Sequence, residues 1–120
     1  MTRPNRAGSP AQQDIHQHLP QLRRALQQQR SFRVEQLAEL TRQASEERGR
    51  TVDDALDEIT VAVTAAAEIA LAEIDAAFDR IAEQTYGQCQ LCGTHISLER
   101  LEILPMASMC MICQRSHEAG

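Results

Sequence analysis

The sequence predicts a mostly α-helical protein, an antiparallel coiled-coil helical hairpin followed by a small module built on four cysteines. Three observations predict it. Apolar residues recur at steps of three and four across residues 52–81, with no Pro or Gly to interrupt them. Aromatic residues are only 2% of the 120-residue chain, too few rings for a deep core, and much of the 42% hydrophobic content is Ala. Two C-x2-C pairs close the chain.

The elements follow in order. Residues 1–18 carry Pro, Gly, Gln and Ser, with Ile15 the one large aliphatic residue before Leu19. Such a segment buries too little to fold alone and is expected to be a disordered tail. His16 and His18 fall within it and are given no ligand role. The hairpin is expected over residues 19–86. Its first helix begins near Pro20, which a first turn tolerates, and runs to about Glu47. Leu22, Leu26, Gln29, Leu37, Leu40 and Ala44 form its apolar stripe, with Phe32 and Val34 beside it.

Gly49 breaks that helix, and the tip of the hairpin is expected near residues 50–58. Thr51 reads as the next N-cap, with Asp54 at the reciprocal position three residues on. Val52, Leu56, Ile59, Val63, Ala66, Ala70, Ile74, Ala77 and Ile81 then form the seam of the second helix. Gly87 reads as its C-terminal stop. At about 1.5 Å per residue the helix makes a rod of roughly 50 Å. The short connection folds the two helices back on each other.

Their charges are complementary. Residues 20–50 hold seven Arg against four Glu, and residues 51–86 hold nine acids against one Arg, Arg80. Pairing across the hairpin accounts for most of these charges. It leaves Asp53, Asp54 and Asp57 at the tip, beyond the basic partners.

The last module spans 87–120 and ends in a short tail. Cys89 and Cys92 form one pair, Cys110 and Cys113 the other, with seventeen residues between the pairs. Four thiolates at this spacing suit one tetrahedral Zn²⁺. The redox reading of C-x2-C needs a βαβ context that the sequence lacks. All four positions are Cys, so no coordination site stays open for chemistry, and a structural zinc ribbon or finger is expected. His95 and His117 are left over as ligands. So small a segment has no core of its own, and the metal should supply its folding energy.

The function classes narrow accordingly. The net charge of -5 argues against coating nucleic acid. From residue 86 onward only Arg100 and Arg115 are basic, and stacking rings are nearly absent. No nucleophile–base pair or open metal site points to an enzyme. The opening residues have no apolar region of a secretory signal, and no run is long enough to span a membrane, so a cytoplasmic protein is expected. There, four cysteines are metal ligands sooner than a disulfide framework.

The stretch "TYGQCQLCGTHISLERLEILPMASMCMICQ" resembles the zinc-finger signature of the DksA/TraR family of bacterial transcription regulators. The matching features are Tyr86-Gly87, Cys89, Cys92-Gly93, Ile96, Arg100-Leu101, Pro105 and Ala107, and Cys110 with Cys113. With the hairpin before it, the resemblance covers roughly residues 20–115. It implies a protein that binds RNA polymerase and not DNA. The zinc part would sit at the rim of the secondary channel. The hairpin would enter it, and the tip acids Asp53, Asp54 and Asp57 would approach the catalytic centre and alter promoter open complexes.

Two departures from the family pattern stand out. The family's tip motif is Asp-x-x-Asp-x-Ala. Here Asp53-Asp54-Ala55 fits its second half, with Arg50 at the first Asp, while the register Asp54–Asp57 puts Ile59 at the Ala. The family's guanosine tetraphosphate positions fall on Ala66, Glu73 and Gln114, none of which pairs with phosphate, so binding by that usual site is not expected. A zinc-ribbon and coiled-coil adaptor that binds another protein or self-associates is the alternative reading.

Overall fold

The computed structural model describes residues 10–47 and 54–119, with side chains for 14–46 and 58–119. Helix α1 spans Pro10–Glu47 and α2 spans Asp54–Glu83. They pack side by side as the expected hairpin. Two short helices follow, α3 over Leu98–Ile103 and α4 over Met111–Ala119. Among the described residues β structure is limited to one antiparallel bridge, Gln88 to His95. The molecule measures 69 × 33 × 21 Å with a radius of gyration of 18.5 Å. A compact domain of this length would have about 14 Å.

The start of α1 corrects the expected tail. Residues 10–18 are helical, and Ile15 is buried. The reason is tertiary. Ile15 sits two turns before Leu22 on the same stripe, and the finger covers both with Cys89, Ile96 and Leu101. Local composition carries no trace of that cover. Pro20 consequently lies inside the helix rather than in its first turn. Its ring removes one backbone donor and costs about 3 kcal/mol. Burying Ile15 and Leu22 on either side, at about 1.5–3 kcal/mol each, offsets it.

The seam of α2 also differs from the expected one. Ala67, Ile74 and Ala77 are buried, with Ala70 and Ile81 half-buried between and after them. Steps of four and three therefore alternate without interruption toward the base. Toward the tip the half-buried positions are Thr64 and Thr60, while Val63, the next step of that alternation, is exposed. The expected seam took two successive steps of four, Ala66 to Ala70 to Ile74, which a regular heptad does not allow. Ile59 and Ala66, which drew it that way, are exposed.

Charge pairing is sparser than expected. Arg30 donates to Asp75 at 2.7 Å, the one ion pair joining α1 to α2 among the described residues. Arg42 pairs within its own helix, with Glu39 and Glu46.

The end of α2 is not made by Gly87. Gln84 takes the left-handed conformation, φ 65°. Its N–H bonds to the Ile81 carbonyl at 3.1 Å, and the Thr85 N–H bonds to the Arg80 carbonyl at 2.9 Å. Those two bonds form a Schellman cap, closed by Gln instead of the usual Gly. Gly87 does a different job. It has φ 88°, and a Cβ there would lie 2.8 Å from Ile15 Cδ1. Only Gly lets α1 approach the finger so closely.

Candidate metal centre

From Gly87 the chain makes a tight knuckle. Ile96 N–H donates to the Gly87 carbonyl at 2.7 Å, and Cys89 N–H to the Thr94 carbonyl at 2.7 Å. Gly93 N–H returns to the Cys89 carbonyl at 2.9 Å. Gly93 has φ 80° with open space around it, so its need for Gly is purely conformational. The knuckle turns Cys89 and Cys92 toward one point.

The second pair comes from the start of α4. Cys110 precedes the helix, and Cys113 lies in its first turn. Cys113 N–H points at Cys110 Sγ, 3.4 Å away. A helix N-terminus favours a thiolate at that position. Gln90 N–H donates to the Ser108 carbonyl at 2.8 Å and ties the two halves together. Between them Ser97 caps α3 by accepting from Arg100 N–H at 3.1 Å. Helix α3 then presents the buried Leu101 beneath the cluster.

The four sulfurs of Cys89, Cys92, Cys110 and Cys113 all lie within 4.8 Å of one another. Zn–S bonds of about 2.3 Å in a tetrahedron put sulfurs about 3.8 Å apart. Cys92 Sγ and Cys110 Sγ are 3.8 Å apart. The donor set is all sulfur and leaves no open position, so the group is a structural zinc site. Its electrostatics agree. Burial works to raise the Cys89 thiol, but backbone N–H groups of Cys110, Cys92 and Leu91 outweigh it and bring it down to about 6. Hydrogen bonding from Cys113 lowers Cys110. Cys113 is pushed up to about 12 by its bonds with Cys110, Cys89 and Cys92. Four clustered thiols cannot all ionise unaided, and a divalent cation resolves the conflict.

Two residues to which the sequence assigned no structural role fix the finger to the rod. Arg80, buried on α2, donates from Nη2 to the Met106 carbonyl at 3.2 Å and the Ala107 carbonyl at 3.4 Å. Burial lowers its pKa, against the neighbouring Tyr86, Asp79 and Glu83. The Tyr86 hydroxyl donates to the Pro105 carbonyl at 2.8 Å. Burial pushes its pKa up to about 12, with the Arg80 charge pulling the other way. Arg80 did carry a signal, as the one basic residue in an Ala-rich acidic helix.

Asp53 and the expected cap Thr51 lie outside the described residues. Asp54 and Asp57 are described as backbone in the first turns of α2. Ala66 is exposed on α2, far from the finger in sequence, while Glu73 and Gln114 line one cleft of about 640 Å³ between α2 and α4. Arg80, Arg100 and Arg115 line it too.

Residues 84–119 match the family model described as the prokaryotic dksA/traR C4-type zinc finger. A search of curated proteins finds no match. Among solved structures, the chain is similar to the transcription factor DksA2 from Pseudomonas aeruginosa, at 23% identity and a TM-score of 0.73. That alignment covers 98% of this chain and 92% of the other. The last third of the chain thus matches the DksA/TraR-type C4 zinc finger, and the chain as a whole shares its fold with that transcription factor.

Proposed function

We propose that the protein regulates transcription by binding bacterial RNA polymerase directly, in the cytoplasm, with its hairpin tip inserted into the secondary channel. The effect falls on the stability of promoter open complexes. The observation that carries the reading is the end-to-end fold similarity to a transcription factor, finger and rod together. The shape is consistent with it, since a rod within a 69 × 33 × 21 Å envelope is slim enough to thread a pore. No helix of the described residues is long and apolar enough to cross a membrane.

In this reading the zinc cluster is a scaffold. Arg80 and Tyr86 hold the finger at a fixed angle to the rod, so contact at the channel rim sets the depth of the tip. Asp53, Asp54 and Asp57 act there through their electrostatic field. Binding needs no base contacts and is not tuned by guanosine tetraphosphate at the usual positions, Ala66, Glu73 and Gln114. The test is the double variant Asp53→Asn/Asp57→Asn. It should bind purified polymerase like the parent and lose the effect on transcription from a sensitive promoter. A variant that binds and still regulates would reduce the tip acids to helix capping.

A further inference from the structure

Helix α2 carries two seams, and the hairpin uses one. The inner seam packs on α1 through Ala67, Ile74 and Ala77. Ile59, Ala62, Ala66 and Ile69 make a second series with steps of three, four and three, and all four are exposed. Ile59 is 58% exposed and Ile69 60%. Heptad spacing of aliphatic residues along one face is what a facing helix recognises.

The charges beside this seam point to a basic occupant. Glu58 precedes it and Glu73 takes its next step, both exposed. No basic residue occurs on α2 before Arg80. A second copy fits poorly. Its own α2 would set acids against acids. Its basic helix α1 exposes Phe32 and Val34, but two residues apart and so on different sides.

We infer that the outer seam is the face of the rod that docks on the polymerase, against a helical surface with small aliphatic residues flanked by Arg or Lys. This inference rests on the polymerase reading and names the face that makes the contact. The tip acids act on the catalytic centre, while the seam supplies grip behind them. Opposite charges at the flanks fix the register of the contact more than they tighten it.

The experiment measures binding of purified bacterial RNA polymerase to the full chain, with three proteins compared. The parent binds. Ile59→Gln/Ile69→Gln should bind at least tenfold more weakly with unchanged thermal unfolding, because both side chains are exposed. Val61→Gln should stay within twofold of the parent. Val61 is more exposed, at 68%, but lies about 200° round the helix from Ile59. If the seam variant binds like the parent, or Val61→Gln weakens binding equally, the inference is overturned and the polymerase reading stands. If the parent does not bind, the polymerase reading itself falls, and the inference with it. Sedimentation equilibrium covers the remaining occupant. A concentration-dependent dimer of the parent that the seam variant abolishes would make the seam a self-interface and overturn the proposal.

Discussion

At the base of the rod Leu26, Ile74 and Ala77 are fully buried, and beside them Ile15 and Leu22 disappear under the finger. Toward the tip the picture changes. Among the described residues, no side chain from Gln27 to Glu46 or from Glu58 to Ala66 is buried. Thr60, Thr64 and Ala70 on α2 are only half-covered, as are Arg33, Gln36 and Leu40 on α1. One half of the molecule is thus held by burial and a metal cluster. The other is held by helix-local forces, such as the Arg42 pairs with Glu39 and Glu46. Local opening follows burial. The tip half belongs to the low-stability end, as the proposed role of a probe that adjusts to a channel would require. The base belongs to the rigid end, which suits a fixed mount.

Removing the metal should break this contrast most strongly. Fresh protein should carry one equivalent of zinc. Cys92→Ser, or a chelator, should unfold the finger and keep much of the helical signal. Hydrogen exchange locates the damage. Amides of residues 84–113 should lose protection, and those of 15–22 with them, because the finger is what covers Ile15 and Leu22. Tip-half amides should hardly change. Continued protection at 15–22 without metal would show that the first turns of α1 stand independently of the finger.

The next largest effect should come from Gly87→Ala. It places a methyl 2.8 Å from Ile15 Cδ1 and forces φ 88° on a residue with a side chain. Left-handed strain and overpacking each cost about 1–3 kcal/mol. Thermal unfolding should drop clearly. Adding Ile15→Val, which deletes the Cδ1 atom, should recover part of the loss but leave the backbone strain. A double variant no better than Gly87→Ala alone would place all of the cost in the backbone.

This junction also marks the limit of what the sequence showed. The hairpin and the four-sulfur cluster were legible because each rests on a local pattern: heptad steps and ligand spacing. The start of α1 was not legible. Ile15 looks stranded among polar residues until the finger, some seventy residues later, is folded onto it. The phase of the α2 seam was obscured for a related reason. Ile59, Ala66 and Ile69 are as apolar as the true seam, and composition cannot rank two apolar stripes on one helix. The Schellman cap at Gln84 hid because Gln is not the residue usually found there, while Gly87 nearby offered a more familiar signal. The clamp residues Arg80 and Tyr86 act on backbone carbonyls of residues 105–107, and such partners leave no sequence mark.

A third measurement sharpens the rigid half. Tyr86 has a folded-state pKa of about 12, above its ordinary 10. The folded state therefore favours the protonated phenol. That contribution is fully present below about pH 10 and is lost as pH rises toward 12. Stability should fall across that window in the parent, and the fall should be smaller in Tyr86→Phe. At neutral pH the Phe variant should lose about 1 kcal/mol, the worth of the bond to the Pro105 carbonyl. Identical alkaline profiles for the two proteins would mean that another group governs the transition.

The smallest effect should come from Asp75→Asn, at the boundary between the two halves. Arg30 and Asp75 make a well-formed pair at 2.7 Å, but both side chains are about half exposed, 48% and 47%. The hydrogen bond to Asp75 and its charge raise the Arg30 pKa, yet Arg is charged at every working pH. No pH dependence therefore arises from the Arg side. Exposed pairs are screened by salt and carry an entropic cost for holding two flexible side chains. At physiological ionic strength the variant should unfold within error of the parent. At low salt, where the screening length grows, a small loss should emerge. Because the pair is the one described ionic link between the helices, its effect gauges how much the tip half depends on cross-hairpin charge. A large, salt-insensitive loss would show that the upper rod is held by electrostatics after all, and the contrast drawn from burial would need revision at its centre.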